Sequence, residues 1–295
     1  MSAKAWVQGV GMAPWRQRHW DVRAACNYVA GGAGSGLVVA TAVSGVHGSF
    51  AAITLAIGLA LVGSGLFAVW LELGRPWRAI NVLRNPRTSW MSREAYTATV
   101  LFGVGTLAAS LEFARSPAAP SAMLVALIVA PGFAYCQGRM LQAAKGIPAW
   151  RSPALPALIV ATALAEGAGA WWIAAAWAGA GTTPALALFL LALVARLAAW
   201  LAYRRSLRDA PLAAGAISRP GAVLAIAGTF APLALVAAAM LAAPFVASLL
   251  VGVAGALALV AGWGFKFALV LRASFNQGYA LPHAPVRGQR ASPRP

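Results

Sequence analysis

The sequence predicts an all-α integral membrane protein, a bundle of eight transmembrane helices with both termini in the cytoplasm, and three observations predict it. Of the 295 residues 61% are hydrophobic and only 10% charged, with a mean hydropathy of +0.74, whereas soluble domains carry about 25% charged residues. The apolar residues fall in runs of about 20, enough for a helix to cross the hydrocarbon, and not in the alternating pattern of about ten residues expected of barrel strands. The basic residues collect between alternate runs, so they sort to one face.

In chain order, residues 1–23 carry Lys4, Arg16, Arg18 and Arg23 with no apolar core between them. They read as a cytoplasmic arm without a cleavable signal peptide. The first helix, Ala24–Ser44, holds GGAGSG at Gly31–Gly36, small residues that let a neighbouring helix, or a flat ligand, approach the backbone. Asn27 lies one turn earlier, a polar group in an apolar helix that either bonds across helices or lines a site. Five further spans follow at Phe50–Trp70, Glu94–Phe113, Ser121–Leu141, Leu155–Trp177 and Pro184–Tyr203. The run Gly221–Phe265 has no charge and is too long for one crossing, so Ala242, Ala243 and Pro244 mark a turn between a seventh and an eighth helix. The membrane domain thus covers 24–271, with an Arg-rich loop at 71–93 and an extended tail at 272–295.

Eight spans return the chain to its starting side, where 21 of the 23 basic residues then lie. Arg115 falls on the other face and Arg196 inside a helix. The positive-inside rule places the termini and the Arg-rich loop in the cytoplasm, in an inner-membrane protein. The excess of +17 is therefore a topology signal, and no folded basic surface for nucleic acid is available. The longer connections are all cytoplasmic, so soluble partners would dock there. The tail FNQGYALPHAPVRGQR, Phe275–Arg290, has too many Gly and Pro residues for a helix and reads as a segment laid along another surface.

Haem in this chain is excluded by counting ligands. A membrane haem b takes two axial imidazoles within helices, while His19, His47 and His283 all lie in arm, loop or tail. Cys26 and Cys136 form no CxxC and read as small core residues, so no metal ligands are expected.

Charge is concentrated where hydropathy explains least, in LELGRPWRAINVLRNPRTSWMSREA at Leu71–Ala95. It contains Arg75, Arg78, Arg84, Arg87, Arg93, two tryptophans and two of the six acids, Glu72 and Glu94. This segment, an LxLGxPxRAxNxL pattern over Leu71–Leu83 followed by Ser-x-Glu at Ser92–Glu94, resembles the DmsC family, membrane anchors of dimethyl sulfoxide reductase-like molybdoenzymes. The resemblance implies a quinone-reactive anchor that exchanges electrons with a cytoplasmic subunit carrying [4Fe-4S] clusters, itself bound to a catalytic subunit with a molybdenum or tungsten pterin. It also implies that Glu94 is the quinol-site glutamate. Glu72 stands where dimethyl sulfoxide reductase anchors have a histidine, and a carboxylate and an imidazole titrate about two units apart. The arm after Trp20-Asp21 and the tail are similar to those of the branch that includes phenylacetyl-CoA:acceptor oxidoreductase anchors.

The chemistry of the loop fits that implication. Quinone and quinol, whether menaquinone or ubiquinone, interconvert by two electrons and two protons, which calls for an apolar slot, a donor to a carbonyl and a base at the interface. Glu94 and Glu72 are the expected proton-transfer groups. The expected quinone-binding set is Asn27, Gly36, Trp70, Arg75, Trp77, Arg78, Asn81, Trp90 and Ser92. Ser92 is expected to cap the third helix with Glu94 in its first turn, desolvated against Trp70, Trp77 and Trp90. An ion pair of Glu72 with Arg75 or Arg78 is the simpler alternative. Arg84, Arg87, Arg93, Arg204, Arg205, Tyr279 and His283 are the expected partner-docking residues. Glu166 and Arg196, each costing about 2.5 to 3.5 kcal/mol in the membrane if unpaired, are expected to pair across their hairpin. Two other readings stay open: a secondary transporter with its site at Glu166 and Arg196, and a purely structural anchor.

Overall fold

Eight helices long and apolar enough to span a membrane follow one another in the computed structural model, which describes residues 10–281. They are α1 Val22–Ser44, α2 Ser49–Trp70, α3 Trp90–Phe113, α4 Ala119–Ala143, α5 Leu155–Ala178, α6 Thr183–Ser206, α7 Pro211–Ala239 and α8 Pro244–Leu271. Two short strands, β1 Val10–Met12 and β2 Tyr279–Leu281, pair antiparallel, with Gly11 opposite Ala280. A 3-10 helix at Pro76–Arg84 lies in the Arg-rich loop.

Local chemistry sets the ends. The Asp21 side chain accepts from the Arg23 amide at 2.8 Å and caps α1. Gly45 and Gly179 end α1 and α5 in the left-handed conformation (φ 69° and 62°), which costs a residue without a Cβ least. Thr182 caps α6 and its hydroxyl donates to the Ser44 carbonyl at 2.9 Å, tying two connections together on one face.

Burial sorts the helices into a centre and a wall. The apolar windows of α1 and α5 are 78% and 67% buried, against 28–44% for the other six, so α1 and α5 form the centre and the rest face lipid. Small residues bring the central pair together. A Cβ on Gly36 would overlap the Ala163 carbonyl, and one on Gly167 would overlap the Gly36 backbone. Gly169 and Gly255 bring α5 and α8 equally close. Gly36 is therefore filled by helix packing, which corrects its expected place against a ligand.

Several boundaries differ from the sequence expectation. α7 and α8 extend to Pro211 and Leu271, because single charges at Arg219 and Lys266 interrupt hydropathy without interrupting a helix. The long loop expected at Arg204–Pro220 shrinks to residues 207–210, and Arg204 and Arg205 occupy the last turn of α6, exposed. Lys266, counted from the sequence among the basic residues on the face bearing the termini, is instead fully buried in the bundle.

The face bearing the termini has its own core. Trp150, from the loop between α4 and α5, is buried with Tyr203 and Phe265, and its indole donates to the Leu269 carbonyl at 3.0 Å. The chain after α8 runs back along this face. Gln17 and Asn276 amides donate to Ser274 and Trp15 carbonyls, and the Gln277 amide donates to Gly146. The described part of the extended tail thus lies on the chain's own arm and loop.

Candidate functional site

Glu94 is a carboxylate buried where α1, α3 and α4 meet. α3 begins after Ser89, whose hydroxyl accepts from the Ser92 amide at 3.4 Å. The expected cap at Ser92 is thus three residues late, and Glu94 falls in the second turn, beyond the free amides of the helix start. Its partner comes from another helix: Asn27 Nδ2 donates to Glu94 Oε1 at 3.2 Å. Asn27 opens a π turn, Asn27–Gly31, within α1. Such turns widen the helix and shift its bonding to i+5, and the Asn27 carbonyl here also accepts from Gln137 Nε2 at 2.9 Å.

Two glycines make room for this cluster. A Cβ on Gly65 of α2 would stand 3.1 Å from Asn27 Oδ1, and one on Gly31 would stand 2.6 Å from Gln137 Nε2. Among the described residues, Asn27 Oδ1, Gln137 Oε1 and the Tyr28 hydroxyl are buried without a hydrogen-bond partner. An amide oxygen accepts up to two hydrogen bonds, so the cluster has acceptors to spare beside a carboxylate. Among the described residues no cation pairs with Glu94. A buried carboxylate without a counter-charge takes up a proton more readily than one locked in an ion pair.

Among the described residues, no other member of the expected quinone-binding set hydrogen-bonds this carboxylate. Trp77 is 91% exposed, and Trp70, 37% exposed, stacks on Phe67 with ring centroids 5.6 Å apart. The Arg93 and Arg139 guanidiniums lie against Trp90, 4.1 and 4.4 Å from its ring. Arg75, Arg78 and Asn81 are exposed on or beside the 3-10 helix. Ser92 is buried, and its hydroxyl donates to the Val82 carbonyl, which with Tyr96 donating to Leu83 at 3.0 Å fastens that helix to α3.

Glu72 lies on the same side of the bundle but in different company. Its neighbours in charge are Asp21 and Arg23, not Arg75 or Arg78, and Arg23 Nη1 donates to the Leu71 carbonyl at 2.8 Å. Partial burial, with Asp21 adding repulsion and Arg23 opposing it, raises the Glu72 carboxyl above its ordinary value.

Of the expected docking residues, Arg84 and Arg87 are exposed. Arg93 instead donates to the Pro86 and Arg87 carbonyls at 2.9 and 2.8 Å, holding its own loop. Tyr279 lies in β2, its backbone opposite Met12. His283 lies outside the described residues.

The intramembrane charges pair differently from expectation. Lys266 Nζ meets Glu166 Oε2 at 2.6 Å, and both side chains are fully buried. Arg196 instead donates to the Ala258 carbonyl at 2.9 Å and to the Gly228 carbonyl, inside a π turn of α7 at Ile226–Phe230. On the opposite face, His47 Nδ1 lies 2.8 Å from Glu112 Oε1, whose other oxygen accepts from the Gly48 amide at 2.7 Å. Among the described residues no group of three His, Cys, Asp or Glu side chains could hold a metal.

Sequence reasoning missed Gln137 and Lys266. A lone amide beside Cys136 was the available signal for the first. For the second it was apolar sequence resuming at Phe267–Leu271.

Residues 50–275, well over half of the chain, match the family model of the DMSO reductase anchor subunit (DmsC). That span includes Glu94 and Gln137 and leaves out Asn27. No curated protein matches the sequence.

Proposed function

The chain belongs to the DmsC family of DMSO reductase anchor subunits, a multi-pass membrane anchor for a molybdoenzyme, and from that premise we propose that it is the quinone-reactive subunit of its complex. In this reading electrons pass between the membrane quinone pool and an iron-sulfur subunit docked on the face that bears the termini. The pterin chemistry takes place on a further subunit. A quinone supplies the two-electron, two-proton couple. The chain's own residues bind, orient and exchange the protons.

The observation that carries this reading is Glu94 itself. It is buried in the second turn of α3, held by Asn27 and, among the described residues, without a cation partner. Asn27 orients the carboxylate through one oxygen, and Gln137 fixes Asn27 by bonding its carbonyl. The unpartnered Asn27 Oδ1 and Gln137 Oε1 suit a hydroxyl donor on a bound ring. Their burial keeps water from competing. An anchor without quinone chemistry would have no use for an uncompensated carboxylate there, since burying one is costly.

The transporter reading loses its open site. Glu166 is bound to Lys266, and Arg196 is bound to main-chain carbonyls.

Glu94→Gln tests the proposal, being nearly isosteric but unable to titrate. Complex assembly and artificial-dye activity of the catalytic subunit should survive, while quinone-linked turnover falls about 10²- to 10⁴-fold, the usual worth of a general acid-base group. Quinone-linked turnover at the wild-type rate would leave a purely structural anchor.

A further inference from the structure

A cleft of about 590 Å³ opens between α4, α5 and α6, on the side of α4 away from Gln137. Its wall along α5 is apolar, running from Pro156 through Ala157 and Val160 to Leu164. The eight helical steps from Pro156 to Leu164 cover about 12 Å, most of the ~15 Å depth of one leaflet's hydrocarbon. At the end nearest the termini stands Arg139. Its Nη1 donates to the Tyr135 hydroxyl at 2.7 Å, its guanidinium lies over Trp90, and its Nε is buried without a partner.

We propose that this cleft binds one anionic phospholipid, with an acyl chain along α5 and the phosphate on Arg139. Charge decides the class of ligand. None of the chain's six acids pairs with Arg139, and a guanidinium fork suits a phosphate oxygen pair. Lys145 and Arg151 in the adjoining loop add positive charge at headgroup level. Tyr135 and Trp90 flank the cation, as aromatic residues do at membrane interfaces. The cleft lining has no carboxylate or imidazole. It can hold a fixed anion but cannot exchange the protons that quinone chemistry needs, so this site is separate from Glu94.

The same loop carries the tail: Arg151 Nη1 donates to Gln277 Oε1 at 2.6 Å, and Gly146 accepts from the Gln277 amide at 3.0 Å. A lipid seated on Arg139 therefore borders the surface on which the arm and tail are laid.

The test is lipid binding to the delipidated full-length chain, or to its complex, followed by native mass spectrometry with phosphatidylglycerol and phosphatidylcholine as probes. One phosphatidylglycerol per chain should bind in preference to phosphatidylcholine. Arg139→Gln should weaken it about tenfold, as loss of a charge-assisted bond implies, and Arg139→Lys should recover part of the loss. Ala157→Phe, at an exposed position in the groove, should displace the acyl chain with the charge untouched. Equal binding of the two lipids by the wild-type chain would overturn the proposal without any variant. So would unchanged phosphatidylglycerol binding in Arg139→Gln, or displacement of the lipid by a short-chain quinone.

Discussion

A carboxylate at a membrane surface titrates according to what covers it and what charges face it. Glu72, half-buried below α2, has its proton held above the ordinary 4.5, first by burial, then by Asp21, with Arg23 working against both. A raised acid pKa means the neutral form persists to higher pH. An infrared titration of the carboxyl band should therefore give a midpoint above 4.5, moving down in Asp21→Asn and up in Arg23→Gln. A midpoint at or below 4.5 would show that the neighbours are misassigned. Asn27, Glu72 and Glu94 were each legible in the sequence as polar groups where hydropathy expects none. The pairing of Asn27 with Glu94 was not, because the two are far apart in the chain and only the packing of α1 on its neighbours brings them together. Trp77 misled for the converse reason: an aromatic residue between two spans reads as lining for a pocket, yet here it projects away from the bundle.

Helices were easier to read than their contacts. Run length and composition identify all eight spans, since the hydrocarbon sets a minimum length. The sequence does not say which helices are central, because α1 and α5 are no more apolar than their neighbours. Their small residues hinted at it: Gly36 and Gly167 allow an approach that a side chain would block. Hydropathy also ended α8 at Phe265, one residue before the lysine that pins α8 to α5. That pin gives a prediction about stability. Lys266→Met leaves the buried Glu166 carboxylate without its hydrogen-bonded partner, and breaking a buried pair from one side costs about 3–5 kcal/mol, whereas removing both charges costs far less. Thermal unfolding in detergent should place Lys266→Met well below wild type and the Lys266→Met/Glu166→Gln double variant well above the single one. Strictly additive losses would mean that the two charges do not act as a pair.

At the scale of the whole molecule, orientation follows from where cations stand relative to the spans. An even number of crossings puts the arm, the Arg-rich loop, the Trp150 loop and the tail on one face, and the paired strands β1 and β2 hold the first and last of these together. The other face has only the connections 45–48, 114–118, 179–182 and 240–243. Arg115 is the one basic residue among them. Moving Lys266 into the bundle removes one charge from the tally without changing its sign. Cations within about 15–20 residues of a span resist translocation, so this face should be cytoplasmic, the side on which the proposed iron-sulfur partner docks. Reporter fusions at Pro86 and at the C-terminus should both report a cytoplasmic location, and a fusion at Arg115 the opposite side. A periplasmic signal at either of the first two would require an odd number of crossings between them and the arm, or an inverted bundle. The exposed arginines of the 3-10 helix would then face away from any cytoplasmic subunit, and the proton exchange proposed for Glu94 would open to the other side of the membrane.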